Sequence, residues 1–350
     1  MTISYHSGGR LQATSTDYNS GAGIPAVSGG WKELARTTLG SAGDTISVAS
    51  LADKRYYMVL VDKQNSGEAS DTFRFNNDSG SNYALRRSNN GGTDVTAGSQ
   101  NILSMGTDDT YPSFSVQYLS NLSNKEKLNI YHQVNRKATG AGNAPQRVEG
   151  ANKWANTSSS FNRFDMINQN TGDYASGSEV VVLGWDPDDT HTDNFWEELA
   201  TTTLGVAGDD LDMTSFTAKK YLWVQMYVKP TGSMNLDLTF NNNTTTYARR
   251  GNWDGGTDST ATSEANVELA GSATTPVFCN MFIINNSANE KLGINWQNRQ
   301  GTAGAGNAPD RTEQVFKWDN TSSQITRIDL NNSGTGDFDT GSFIKVWGSD

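Results

Sequence analysis

Four acidic positions recur along this sequence 164 or 165 residues on, Glu33 with Glu198, Asp44 with Asp209, Glu126 with Glu290 and Asp173 with Asp337. Paired carboxylates of this kind are what glycoside hydrolysis needs when they face each other across a cleft. These acids, however, sit in turn-like or N-terminal contexts, mostly beside Lys or Gly, with no aromatic-lined pair of strand carboxylates, and they read as surface turns and local ion pairs. The three histidines, His6, His132 and His191, do not recur, and His132 aligns with Trp296. A catalytic imidazole duplicated together with its fold should reappear, so no general base is assigned. GAGNAP, at Gly140 and again at Gly304, has the glycine density of a phosphate loop but lacks the Lys-Ser/Thr and a following helix, and reads as a tight strand connection. Nucleophile elbows, HExxH and CxxC motifs are absent from the sequence. No catalytic residue, cofactor or metal ligand is assigned, and the chain is expected not to be an enzyme.

Two further groups of polar residues have chemistry to offer. Asp186, Asp188, Asp189 and Asp193 crowd the segment DPDDTHTDN, yet the glycine and closing glutamate of a calcium loop are missing, which favours a solvated linker. FNNDSGSNYALRRSNNGGTD from Phe75, and FNNNTTTYARRGNWDGGTD from Phe240, place Asn76, Tyr83, Arg86 and Arg87 in one copy and Asn241, Tyr247, Arg249, Arg250 and Trp253 in the other. Such residues hydrogen-bond and stack on sugars or anchor protein interfaces. They equally describe a hairpin whose Asn and Gly turns adopt positive φ and whose arginines pair with local acids. The first reading makes them candidate interaction residues, together with Tyr5, Leu11 and Tyr18 near the N-terminus.

The elements that position these residues follow from an internal repeat. WKELARTTLGSAGD from Trp31 returns as WEELATTTLGVAGD from Trp196, 165 residues on. After a one-residue loss between Asn77 and Tyr83 the offset is 164, and it holds through Lys153-Trp154 against Lys317-Trp318 to the closing EVVVLG and FIKVWG. A repeat this long is a whole domain. Short apolar runs such as YYMVLV, LNIYHQV and VFCNMFII, bounded by Gly, Asn, Asp and Ser, read as strands. The expected architecture is all-β: two tandem homologous antiparallel β-sandwich domains, jelly-roll or lectin-like, with an extended N-terminal arm. The expected bounds are an arm over 1–30, one sandwich over 31–185, a linker over 186–194 and a second sandwich over 195–350. Each copy is expected to pair its first and last strands in one sheet. The Gly/Ser-rich arm is either a loose terminus or a strap that lies along a neighbour by strand addition.

Composition agrees with this frame. Thirty-five glycines and 35% hydrophobic residues suit many strands and turns, while nine Trp, twelve Tyr and thirteen Phe supply core anchors. A net charge of -11 sets a repulsive field before nucleic acid or an anionic membrane, and no apolar run approaches the length of a membrane span. The single cysteine, Cys279, reads as a buried small apolar residue, and no secretory leader is recognised.

WKELARTTLGSAGDTISVASLADKRYYMVLV, FNNDSGSNYALRRSNNGGTD and the terminal VxVxG strand resemble a family of β-rich proteins of tailed phages, marine ones especially. The resemblance covers Trp31 to Asp350, and the segment ISYHSGGRLQATSTD is similar to the start of such proteins. It implies a virion protein assembled in the host cytoplasm, a capsid decoration or minor capsid protein, or else a tail or fibre component. The partners it implies are other virion proteins (capsid or tail subunits), further copies of the chain, or a host-surface glycan. It supplies no catalytic residues.

Overall fold

The computed structural model describes residues 4–5, 11–12, 30–106 and 110–350. The arm expected over 1–30 lies outside the described residues, apart from Gly30 and an antiparallel pairing of Ser4–Tyr5 with Leu11–Gln12; Tyr18 lies outside them too.

All regular structure among the described residues is β. The first unit has an eight-stranded antiparallel sheet in the order Lys32–Thr38, Glu179–Trp185, Tyr56–Lys63, Ser113–Ser120, Lys127–Asn135, Gln146–Trp154, Tyr83–Asn89, Val95–Gln100. A four-stranded sheet, Leu103–Ser104, Thr72–Phe75, Phe164–Ile167, Thr45–Val48, covers its inner face. The second unit repeats both orders. Its large sheet runs Glu197–Thr203, Phe343–Ser349, Tyr221–Val228, Val277–Ile284, Lys291–Arg299, Asp310–Trp318, Tyr247–Trp253, Ser259–Glu264. Its small one runs Val267–Ala273, Met234–Phe240, Ile328–Asn331, Asp210–Asp212. Each sheet draws its strands from one copy, so the chain is two homologous jelly-roll-like sandwiches, and the first and last strands of each copy pair as expected.

Side-chain alternation explains the sandwich. In Tyr56–Lys63, Tyr57, Val59 and Val61 enter the core between the two sheets of the first unit, where they meet Phe73, Phe75 and Phe164 of the small sheet. Trp154 and Trp318 occupy equivalent, fully buried positions. Trp154 donates its indole N–H to Asp78 Oδ2 at 2.7 Å, whereas that of Trp318 meets no acceptor among the described residues.

The two cores differ in polarity. In the first unit Lys63 and Asp71 form a buried ion pair at 2.9 Å, with Lys63 also donating to the Ala69 carbonyl and Asp71 accepting from Ser113 and Gln133. The second unit carries Val228 and Leu236 at these positions. Removing one partner leaves a buried charge unpaired, while replacing both with apolar residues removes the desolvation penalty together with the attraction. Lys63→Val or Asp71→Leu alone is therefore expected to cost about 3–5 kcal/mol of unfolding free energy, and the double replacement to recover all but about 1 kcal/mol. Urea titration of the three variants checks this, and additive losses would contradict it.

Candidate functional site

The other alternating set on the same strands is apolar as well, and it faces outward. Met58, Leu60, Phe114, Val116, Val134 and Leu183 of the first large sheet form a third core with Trp196, Tyr221, Phe282, Leu292 and Ile294 of the second. The two large sheets thus pack by their outer faces, and the molecule is four layers deep. The Lys127–Asn135 strand shows why: Leu128, Ile130, His132 and Val134 point away from their own sandwich, while Asn129, Tyr131 and Gln133 point into it. At the centre of the contact His132 meets Trp296, its equivalent residue, with ring centroids 4.5 Å apart and planes 81° apart. Trp296 Nε1 lies 2.9 Å from His132 Nδ1 and 3.1 Å from its Nε2, so the indole N–H donates to the imidazole, which accepts as the neutral ring. Burial first, and the Arg147 charge second, hold the His132 pKa down to about 3.

Charged groups cross the contact on both sides of this core. Arg147 is buried and bonds Asp258 at 2.8 Å and Glu313 at 3.1 Å in the second unit, and Glu149 in its own. At the other end Glu179 accepts from the Tyr221 hydroxyl at 2.8 Å and from Lys220 at 3.1 Å. Burial pushes the Glu179 carboxyl up, but the Thr38 and Tyr221 hydroxyls and the Lys220 charge outweigh it and hold its pKa below the usual carboxylate range. The loop bearing the first GAGNAP docks as well: Gly140 N donates to Glu290 at 2.5 Å, Ala141 N to Asp319 at 3.0 Å, and Lys317 to the Ala138 carbonyl at 2.7 Å. The identical loop at Gly304 is exposed. The linker is tied down by its acids: Lys54 pairs with Asp186 and Asp189, Lys32 with Asp193 at 2.8 Å, and Asn194 Oδ1 accepts from Gly30 N.

One part of the outer faces is left open. In the first unit Trp31, Tyr56, Tyr118, Leu128, Ile130 and Trp185 line an apolar cleft of about 370 Å³. Tyr56 stacks on Trp185 at 5.5 Å, and Trp31 lies 6.3 Å from both Tyr118 and Trp185. Leu128 and Ile130 are 57% and 55% exposed at its edge. No family model matches the chain, and no curated protein sequence does. Among solved structures it is similar to domains LG4-5 of the mouse laminin alpha1 chain, at 10% identity over 93% of this chain and 92% of that one. The TM-score is 0.21, too loose a superposition to carry an argument about this molecule.

The interaction residues expected from sequence fall elsewhere. Tyr83 and Tyr247 are corrected from a contact surface to the core: both are buried, and their hydroxyls bond the backbone at Phe75 and Phe240. Asn76 and Asn241 have φ of 51° and 54° and clamp neighbouring loops, Asn76 to Ser160, Asn162 and Arg163, Asn241 to Gln324, Thr326 and Arg327. Arg86 pairs with Asp94 at 3.0 Å, and Arg87 donates to Ser104 and Gly106. Arg249 pairs with Glu268, while Arg250 reaches the other unit at the Pro145 carbonyl, 2.8 Å away. Among the described side chains of this set Trp253 is the half-open aromatic, 37% exposed with Arg249 over its ring at 5.6 Å. Tyr5 and Leu11 lie in the short pairing near the N-terminus.

Sequence reasoning missed the cleft. In LNIYHQV the apolar set Leu128, Ile130 and Val134 alternates with Asn129, Tyr131 and Gln133, and alternation alone assigns the apolar set to the sandwich interior; the structure turns the amide set inward instead, so no local pattern marks the cleft.

Proposed function

We propose that the chain is a non-enzymatic structural protein of a phage particle, a capsid decoration or minor capsid protein on the virion exterior, held by protein–protein contacts. The observation that carries this reading is the inter-unit contact: a third apolar core, bordered by buried ion pairs and a docked loop, joins the two sandwiches into one four-layer body. Apolar burial between the units resists their separation, as a surface subunit requires, and an apolar aromatic cleft offers large contact area at low entropic cost. The phage resemblance supplies the setting. Electron microscopy of purified particles tests it. Four-layer β density repeated at symmetry-related capsid positions is expected, and its absence from the particle would overturn the proposal.

A second reading, a tail or fibre module that binds a host-surface glycan, is favoured by Trp253, whose open ring beside Arg249 suits stacking on a sugar. On that reading Trp253→Ala loses glycan-array binding about tenfold or more with unchanged unfolding behaviour. Array binding that is absent, or indifferent to the substitution, removes it.

A further inference from the structure

The duplicated fold shows what covers one aromatic face and leaves its twin uncovered. In the second unit Trp196, Tyr221, Phe282, Leu292 and Ile294 are each no more than 8% exposed, packed beneath the first unit. The equivalent residues of the first unit are Trp31, Tyr56, Tyr118, Leu128 and Ile130, the lining of the open cleft. The residue types match position by position, aromatic for aromatic and branched aliphatic for branched aliphatic. Trp31 and Tyr118 also pack against the third core, so the cleft continues an interface already formed.

The covering surface has a less covered twin too, where Trp223 and Trp347 border the third core. Met58, Leu60, Phe114, Val116 and Leu183, which cover the second unit, correspond to Trp223, Gln225, Phe278, Asn280 and Trp347. There Trp223 stacks on Trp347 at 4.8 Å, and Phe278 is 39% exposed. We infer that the cleft is a self-association surface, filled by the Trp223, Phe278 and Trp347 face of a second copy of this chain, which brings to the cleft the equivalents of the residues that cover the second unit within one chain.

The charges at the rim fit this occupant. Within the chain Lys220 sits at the edge of the buried face and pairs with Asp62 and Glu179, each at 3.1 Å. Its equivalent beside the cleft is Arg55, which lies over the Tyr56 ring at 5.8 Å, and the equivalents of Asp62 and Glu179 are Tyr227 and Phe343, stacked on one another at 6.3 Å. A compact ammonium is thus matched with two carboxylates, and a planar guanidinium, which stacks on aromatic faces, with two rings. Because the contact joins unlike surfaces, it produces either a closed ring or an open row of copies.

The test uses the full chain in solution and is independent of any particle, so its outcome does not depend on the virion reading. Light scattering after size exclusion, at concentrations up to about 100 µM, is expected to give masses above the 37.9 kDa of one chain that rise with concentration. Ile130→Glu in the cleft and Phe278→Glu on the face change exposed side chains, and each is expected to weaken association about tenfold or more, with unchanged circular dichroism. Mixing the two variants restores a dimer, since one keeps an intact face and the other an intact cleft. A single-chain mass at every concentration, or association indifferent to both substitutions, overturns the inference. So does a monomer whose cleft tryptophans become accessible to acrylamide only when residues 1–29 are removed, which would assign the cleft to the chain's own N-terminal segment.

Discussion

Arg147→Ala is expected to lower the unfolding free energy of the whole chain by about 3–5 kcal/mol, chiefly the cost of leaving the buried Asp258 carboxylate without its cation. Arg147 is buried, Asp258 is buried with it at 2.8 Å, and Glu149 and Glu313 stand on its other nitrogen. The loss reaches both sandwiches because Asp258 and Glu313 belong to the second. A lysine at 147 keeps the charge but not the planar fork, so it rescues only part. In the Arg147→Ala background, Asp258→Ala recovers stability because it removes the stranded charge, and the coupling in a double-mutant cycle should exceed about 1 kcal/mol. Urea unfolding of the four proteins measures this. A loss below about 1 kcal/mol for Arg147→Ala would place the network in solvent rather than in the contact.

Acid is expected to weaken the same contact through His132. The unfolded chain takes up a proton on this imidazole near pH 6.5, while the folded chain resists it until about pH 3. Between those values the unfolded state binds the extra proton, so stability falls as pH falls, by at most about 1.4 kcal/mol per pH unit. The physical cause is the environment of the ring: it is packed against Trp296 and accepts from its N–H, and a protonated ring has no lone pair left to accept. His132→Gln removes this titration. The variant is expected to lose about 3 kcal/mol less than the parent between pH 6.5 and 4, read as the difference between their two stability curves. Parallel curves would show that the imidazole is solvated.

Much of the fold is legible in the sequence because duplication marks it. Trp31 against Trp196 and Trp154 against Trp318 fix the repeat, alternation marks the strands, and the pairing of each copy's first and last strands follows. The four-layer arrangement is harder to read. A strand such as Tyr56–Lys63 is apolar on both alternating sets, which signals burial on both faces but not what lies on the second one. Tyr83 and Tyr247 mislead because a tyrosine near Asn and Gly turns has the same local signature whether its ring enters the core or stays outside; only the backbone partners at Phe75 and Phe240 decide. The identical GAGNAP loops also part ways for a reason no local pattern carries: one meets Glu290 and Asp319 of the other unit, while at Gly304 the chain meets solvent.

The central physical claim is that the third core makes two sandwiches into one cooperative body. Equilibrium urea unfolding of the full chain, followed at once by tryptophan fluorescence and far-ultraviolet circular dichroism, tests it most directly. A single transition, coincident by both probes, with an m value matching the surface of both units and the third core, is the predicted result. Two separate transitions, each with the m value of a single sandwich and neither shifted by Leu60→Asp at the heart of the contact, would contradict it.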